Sequence, residues 1–481
     1  MSDVRLADFV KAYDVRGLVP EQLSPTVSRA LGSSFAQVVV LPEGHAGLVV
    51  GHDMRASSPE LARAFAAGAA AHGVDVTMIG LCSTDGLYHA SGSLQLPGAM
   101  FTASHNPAAY NGIKLCRAGA RPVGQDTGLA EVRDLAQWLL DRADLHGLDT
   151  GSPSSGRPAG TITERDLLAD YAAYLHSLVD LRGGRPLRVV VDAGNGMAGL
   201  TVPAVLADPA LELGLDVVPL YFELDGTFPN HEANPLDPAN LRDLQAAVRE
   251  HDADLGLAFD GDADRCFVVD ERGEPISPSA ITALVAAREV GKEVAAGRPA
   301  SEVAIVHNVI CSRAVPETIA ALGARAVRTR VGHSFIKTQM AEHEAVFGGE
   351  HSAHYYFRDF WYADTGMLAA MHVVAALREQ EGPLSALVAD YDRYAASGEI
   401  NSRVDDVAAA TERARVWARE RGATADTVDG LTMTATDEPR WWFSLRPSNT
   451  EPLLRLNVEA DDETTMERVR DAVLGLVRQE A

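Results

Sequence analysis

The sequence predicts an α/β protein: three related α/β domains with mixed sheets, followed by a C-terminal α+β domain. Three observations predict it. A strand–turn–helix–strand pattern occurs three times along the chain. Beyond residue 395 the pattern stops, and strands run together before a final helix. The chain has 481 residues, which at roughly 100–200 per domain suits three or four domains.

The first repeat spans residues 48–80, the second 187–221 and the third 303–331. Each opens on a β-branched run that suits a buried strand. A polar turn follows, then an Ala/Leu-rich stretch with helical spacing, then a glycine that stops the helix: Gly73, Gly214 and Gly323. A second β-branched run comes next, and repeated units of this kind make parallel or mixed sheets with helices on both faces. In the last segment, residues 431–435, 440–446 and 453–460 read as strands. Asp461 or Asp462 caps a helix whose Met466, Val469, Val473 and Leu476 share a face. The domains then read 1–158, 159–274, 275–395 and 396–481, with LDTGSPSSGRPAG at 148–160 as the clearest linker.

Composition excludes several classes. No apolar run approaches the ~18 residues of a membrane span, and the charged N-terminus has no apolar signal core. The reading is a cytoplasmic protein without membrane partners. The net charge is −25 with no basic run, which argues against nucleic acid. An anionic ligand would need arginine and lysine gathered locally against that field. Cys82, Cys116, Cys266 and Cys311 form no CxxC pair, so neither a disulfide framework nor a structural zinc site is indicated.

Four motifs carry chemistry. In Asp260-Gly261-Asp262-Ala263-Asp264-Arg265, three carboxylates alternate between the apolar runs LGLAF and CFVV. Alternate residues of an extended segment point the same way, so all three can face one hard cation, Mg²⁺ or Ca²⁺. An EF-hand is excluded because Arg265 stands where the loop needs glycine. The second motif, Thr102-Ala103-Ser104-His105-Asn106-Pro107, follows the apolar PGAMF and precedes Tyr110-Asn111-Gly112-Ile113-Lys114. It puts Ser104 at a strand exit, where α/β proteins place chemistry. A serine needs a base, a metal or a positive field to act as nucleophile, and His105 and Lys114 offer proton transfer or charge. The third, Gly348-Gly349-Glu350-His351-Ser352-Ala353-His354, sets hydrogen-bonding groups on a short loop, with Glu350 and Ser352 suited to vicinal sugar hydroxyls. The fourth, Arg446-Pro447-Ser448-Asn449-Thr450, lies between two strands, and one arginine with several small hydrogen-bonding residues suits a phosphate. Arg16, Arg55, His333 and Lys337 are weaker candidates.

Rival patterns fail on their details. There is no GxSxG for a serine hydrolase and no HExxH for a zinc site at His351 and His354. Gly194-Asn195-Gly196-Met197-Ala198-Gly199 matches GxGxxG and has Glu223 after the next strand. Asp192-Ala193 interrupt the turn, however, and a dehydrogenase has no use for the triple-carboxylate loop.

Taken in order, YDVRG, TASHNP…NGIK, DAGNG, DGDADR, GEHSAH and RPSNT resemble the α-D-phosphohexomutase superfamily, most like the bacterial phosphomannomutase/phosphoglucomutase group. The resemblance spans the whole chain. It implies four domains around a central cleft and interconversion of hexose 6-phosphate and hexose 1-phosphate through a hexose 1,6-bisphosphate. It implies a phosphate carried on Ser104, with Mg²⁺ held by Asp260, Asp262, Asp264 and a phosphoserine oxygen. Arg16, Lys114 and Arg265 would neutralise charge or handle protons, and His333 and His354 would line the cleft. Arg446, Ser448, Asn449 and Thr450 would bind the distal phosphate. DAGNG becomes a structural turn. The implied partners are small sugar phosphates, for a monomer or small homo-oligomer. His351 departs from the methionine or glutamine common at its position.

Overall fold

Strands buried on both faces set the architecture. The structure, a computed structural model, describes residues 4–146, 158–447 and 453–478. The chain divides into two units, Met1–Ile276 with Ser352–Leu387, and Ser277–His351 with Val388–Ala481.

In the first unit, strands β1 (Val15–Leu18), β2 (Gly47–His52), β3 (Asp75–Leu81), β4 (Gly98–Phe101), β5 (Tyr110–Arg117), β6 (Arg121–Pro122) and β7 (Ile162–Glu164) make one sheet. Its order is β1-β5-β4-β2-β3-β7, with β6 on β5. The first repeat is β2, the helix Ser58–Ala70 and β3, and β2 runs parallel to both β3 and β4. The return from β4 to β5 is antiparallel, so the sheet is mixed. Because β7 adds parallel to β3, this sheet continues past residue 158. Most of the 148–160 linker lies outside the described residues.

A second sheet follows, of β8 (Leu187–Asp192), β9 (Leu215–Leu220), β10 (Leu255–Phe259), β11 (Cys266–Asp270) and β12 (Pro275–Ile276), in order β12-β11-β10-β8-β9. The second repeat is β8, the helix Ala198–Val205 and the parallel β9. Here the glycine rule misses: the helix stops at Val205, well before Gly214. Asp208 precedes Pro209 and is extended, because a residue before proline is pushed out of the helical region. Gly214, at φ +66, instead leads into β9.

The third repeat, in the second unit, is β13 (Ala304–Asn308), the helix Ala314–Ala321 and β14 (Arg325–Thr329), with β15 (Phe347–Gly349) parallel on the other side of β13. The first unit regains the chain as the hairpin β16 (Tyr355–Phe357) and β17 (Ala363–Asp364), and then the helix Gly366–Arg378, which is buried along its length.

The C-terminal sheet is antiparallel, with β18 (Ala395–Arg403), β19 (Thr424–Asp426), β20 (Leu431–Ala435), β21 (Trp441–Pro447) and β22 (Leu453–Ala460) in order β18-β22-β21-β20-β19. Alternate residues Leu431, Met433, Phe443, Leu445, Leu456 and Val458 point into its core, the period-two pattern of a half-buried sheet. Asp462 caps the last helix, its Oδ1 accepting from Thr465 N–H at 2.8 Å. The buried face is Met466, Val469, Val473 and Val477. Leu476 does not complete it: four residues after Val473 the helix returns to the same side at Val477.

Candidate active site

Two loops of the first unit meet. One is the exit of β4, residues 102–109; the other is the turn 260–265 between β10 and β11, which pair as an antiparallel hairpin. Ser104 is 4 % exposed and takes a left-handed φ of +49°. That conformation costs a residue with a Cβ about 1–2 kcal/mol, so the surroundings must hold it. The Ser104 N–H donates to Thr102 Oγ1 at 2.9 Å, and its Oγ donates to Asp260 Oδ2 at 2.8 Å.

The three carboxylates converge for a different reason than alternation along a strand. Residues 260–264 form a turn: Ala263 is left-handed at φ +60° and its N–H returns to Asp260 O at 3.0 Å. Asp260, Asp262 and Asp264 are all buried, and each offers an oxygen within 4.8 Å of the others. Basic groups hold this charge. Lys114 Nζ, on β5, donates to Asp262 Oδ2 at 2.7 Å and Asp264 Oδ2 at 2.6 Å. Arg265 Nε donates to Asp260 Oδ2 at 3.0 Å and its backbone N–H to Oδ1 at 3.1 Å.

These partners split the carboxylates electrostatically. Burial pushes Asp260 up to about 7, reinforced by Asp264 and Asp262 and opposed by Arg265. Burial also works against charge on Asp262 and Asp264, but Lys114, joined by the Thr84 hydroxyl at Asp262 and by His354 and Arg265 at Asp264, holds both below the usual carboxylate range. Lys114 is correspondingly raised: burial lowers it, and the two aspartates more than reverse that. It is a fixed cation.

His105 lies between the serine and Arg265. Its Nδ1 lies 2.7 Å from Arg265 NH2 and 3.2 Å from Ser104 Oγ. Burial, then Arg265 and Arg16, lower its pKa to about 2. A neutral ring whose Nδ1 accepts from an arginine supplies no positive charge. Arg16, on β1, donates from Nε to Asp14 at 2.7 Å and from NH1 to Asn106 Oδ1 at 2.6 Å. His354 Nδ1 is 3.0 Å from Ser352 Oγ, and its Nε2 is 3.8 Å from Asp264 Oδ1.

Two features escaped the sequence reading. Thr84, at the start of the helix Thr84–Leu94, donates Oγ1–H to Asp262 Oδ2 at 2.5 Å and N–H to Asp262 O at 3.0 Å. Ser83 caps that helix, its Oγ accepting from Gly86 N–H at 3.2 Å, but nothing local links Thr84 to Asp262. DAGNG is a turn, with Gly194 and Asn195 left-handed, but it also backs the carboxylate loop. Met197 N–H donates to Gly261 O at 2.9 Å, and a Cβ on Gly196 would approach that oxygen to 2.7 Å.

The residues fit a hard divalent cation. Among the described residues, Asp262 Oδ1 and Asp264 Oδ1 are buried without a hydrogen-bond partner, whereas most buried polar oxygens in proteins have one. All donors are oxygen, the set that Mg²⁺ prefers. Among the described residues, the other three-membered group is Asp264, His354 and Asp364. His351 belongs to neither, since its Nδ1 is 3.0 Å from Ser279 Oγ.

The remaining candidates lie in the second unit. Glu350, 2 % exposed after β15, accepts on Oε1 from Asn308 Nδ2 and Gly332 N–H, both at 3.1 Å. Arg446, near the end of β21, is buried, with Glu399 at 3.5 Å and Asp429 at 3.7 Å. His333 opens the helix His333–Glu342, but its side chain lies outside the described set. Ser448, Asn449 and Thr450 also lie outside the described residues.

Four family models match in succession: phosphoglucomutase/phosphomannomutase alpha/beta/alpha domain I over residues 8–137, domain II over 169–273, domain III over 278–394 and the C-terminal domain over 399–476. The chain belongs to the phosphoglucomutase/phosphomannomutase family. Among its relatives are the phosphohexose mutases of Xanthomonas campestris pv. campestris, 39 % identical over 96 % of each chain. The phosphomannomutase/phosphoglucomutase of Pseudomonas aeruginosa is 34 % identical over 96 % of this chain and 94 % of its own. A crystal structure of a phosphoglucomutase/phosphomannomutase family protein from Burkholderia thailandensis superposes with a TM-score of 0.82, at 30 % identity, over 98 % of each chain. This phosphohexomutase thus carries its carboxylate turn and serine loop on the two sheets matched by the first two family domains.

Proposed function

We propose that the chain interconverts hexose 6-phosphates and hexose 1-phosphates, of mannose and glucose alike, with Ser104 as the phosphoryl carrier. The observation that carries the reading is the strained, buried Ser104 hydroxyl 2.8 Å from a carboxylate of the Asp260–Asp262–Asp264 group. A serine serves as a relay only in a field that tolerates a phosphate, and phosphoryl transfer is mainly positioning and charge neutralisation. Mg²⁺, held by Asp260, Asp262, Asp264 and an oxygen on Ser104, would supply that neutralisation when bound.

The protein groups then divide the work. The phosphorus–Oγ bond of phospho-Ser104 breaks as a substrate hydroxyl bonds to phosphorus, giving a hexose 1,6-bisphosphate. The bisphosphate turns over and returns its other phosphoryl group to Ser104. Lys114, Arg265 and Arg16 offset the charge on the moving group; His354 takes the proton of the attacking hydroxyl, and the departing Oγ gains one to become the serine hydroxyl. Glu350 and Ser352 grip the 3- and 4-hydroxyls, and His333 also binds the substrate. Arg446, Ser448, Asn449 and Thr450 hold the phosphate that does not react.

Two-way binding governs selectivity. Turning the intermediate over roughly exchanges the 3- and 4-hydroxyls but moves carbon 2 to a different wall. A tight grip on the 2-hydroxyl in one orientation would leave polar groups unpaired in the other, at a cost of roughly 1–3 kcal/mol. Mannose and glucose differ only at carbon 2, so both are accepted. The test compares kcat/KM for mannose 1-phosphate, glucose 1-phosphate and glucosamine 1-phosphate. The neutral pair should agree within about a thousandfold, ~4 kcal/mol, with glucosamine 1-phosphate poorer than either. A wider gap, or glucosamine 1-phosphate as the best substrate, would overturn the selectivity argument.

A further inference from the structure

We infer that Arg55 is the positioning residue of the Ser104 loop. It clamps the loop's carbonyl oxygens from behind, so that Ser104 stays in its left-handed conformation and faces the carboxylate turn. The inference rests on the reading of Ser104 as phosphoryl carrier.

Arg55 lies in the turn between β2 and the helix Ser58–Ala70 and is 2 % exposed. Its NH1 donates to Pro107 O and Tyr110 O, both at 2.9 Å. Its NH2 donates to Ser104 O at 2.9 Å and Asn106 O at 2.6 Å. A guanidinium has five N–H groups in a fixed fork. Four of them go to carbonyls within residues 104–110, and Nε faces Asp53 Oδ2 at 3.3 Å. The anchor is itself fixed: Asp53 Oδ1 accepts from Arg55 N–H at 3.0 Å and from Ser58 Oγ at 2.6 Å.

An aromatic ring covers one side of the guanidinium, and the backbone that carries it is closely packed. The Phe228 ring centroid lies 5.1 Å from Arg55 Cζ, and a Cβ on Gly226 would come within 2.7 Å of Arg55 Cα. The hydrogen bonds of both terminal nitrogens of Arg55 therefore go to the serine loop and the residue that follows it. Its contacts select the carbonyl of Ser104 and that of Asn106, whose side chain in turn accepts from Arg16. One buried cation so aligns the serine and a neighbouring arginine, and its field reaches Asp262 and Arg16. A lysine would keep the charge but, as a point donor, cannot span four carbonyls.

The experiment compares the parent enzyme with Arg55→Lys, Arg55→Ala and Phe228→Ala, each checked for folding by circular dichroism. Steady-state kinetics with glucose 1-phosphate are paired with intact-mass measurement of Ser104 phosphorylation by glucose 1,6-bisphosphate. Arg55→Lys should lower kcat at least about 30-fold while KM stays within about threefold, the signature of lost alignment rather than lost substrate binding. Guanidinium ion, and not methylammonium, should restore part of the Arg55→Ala rate. Phe228→Ala keeps every hydrogen bond of the clamp and uncovers one side of it, and should lower kcat about threefold to tenfold at constant KM. Parent-like kcat in folded Arg55→Lys overturns the inference, as does parent-like kcat in Phe228→Ala if neither Arg55 variant folds. A parent that never takes up a phosphoryl group overturns the reading of Ser104 itself.

Discussion

The serine–carboxylate region of the first unit and the Glu350 and Arg446 positions of the second handle charge differently. Around Ser104 the opposing groups sit at hydrogen-bond distance: Lys114 at 2.6 and 2.7 Å from two aspartates, Arg265 at 3.0 Å from the third. Among the described residues, the ion pairs of Arg446 are looser, with Glu399 at 3.5 Å and Asp429 at 3.7 Å, and its buried Nε has no hydrogen-bond partner there. Chemistry needs groups locked in one geometry. A binding arginine must release its partners when a phosphate arrives and offers a bidentate contact. The contrast is one of geometry, close contacts around Ser104 against longer ones at Arg446, and the kinetics of variants test whether it is also one of role.

The sharpest break between the regions is Ser104→Ala. Without the carrier oxygen, turnover with glucose 1-phosphate should fall at least about a thousandfold, and near-parental turnover would remove Ser104 from the reaction. Asp262→Asn should cost less, about a hundredfold to a thousandfold in kcat, because part of the charge array survives. Chelation should abolish the parent's activity and Mg²⁺ restore it; full activity after exhaustive chelation would contradict the metal reading.

Arg446→Ala tests the exchanging side. Losing a charge-assisted phosphate contact costs about 1.5–3 kcal/mol, so KM should rise roughly tenfold to a hundredfold with kcat largely kept. A fall in kcat at unchanged KM would erase the distinction between the regions.

The smallest effect concerns how the first unit is held together. Asp85 accepts from the Tyr171 hydroxyl and Thr365 Oγ1, both at 2.7 Å, and from Ser83. Burial lifts it to about 6, whereas an unfolded aspartate titrates near ~3.9. Between these values the folded chain keeps a proton that the unfolded chain has lost. The resulting stabilisation is complete below ~3.9 and disappears as pH rises through about 6. The difference in Tm between the parent and Asp85→Asn should therefore be most favourable to the parent at low pH and shrink by a few degrees towards neutrality. A difference independent of pH would show that Asp85 does not titrate in that interval.

Much of this was legible in the residues. Three β-α-β repeats were readable because buried parallel strands need continuous β-branched runs, and the chain writes them at β2, β8 and β13. The terminal helix was readable too, except that Val477 rather than Leu476 closes its face, since both are apolar and only the helical phase separates them. The composition of the carboxylate loop was plain, but its turn geometry was not. Convergence there depends on a left-handed Ala263, which no propensity of alanine announces. Thr84 was illegible as a site residue, and Arg55 was legible only as a weaker candidate without a target, for another reason. Thr84 meets Asp262 across 178 positions, and Arg55 reaches Ser104 across 49, so their purpose exists only after folding.

The central claim is that Ser104 carries the phosphoryl group, and intact-mass measurement tests it most directly. The parent, incubated with glucose 1,6-bisphosphate and freed of it, should be heavier by one phosphoryl group. Fragmentation should place that group on Ser104, it should be absent from Ser104→Ala, and it should leave when glucose 6-phosphate is added. A parent that turns over substrate with no added mass, or with the added group on another residue, would contradict the account.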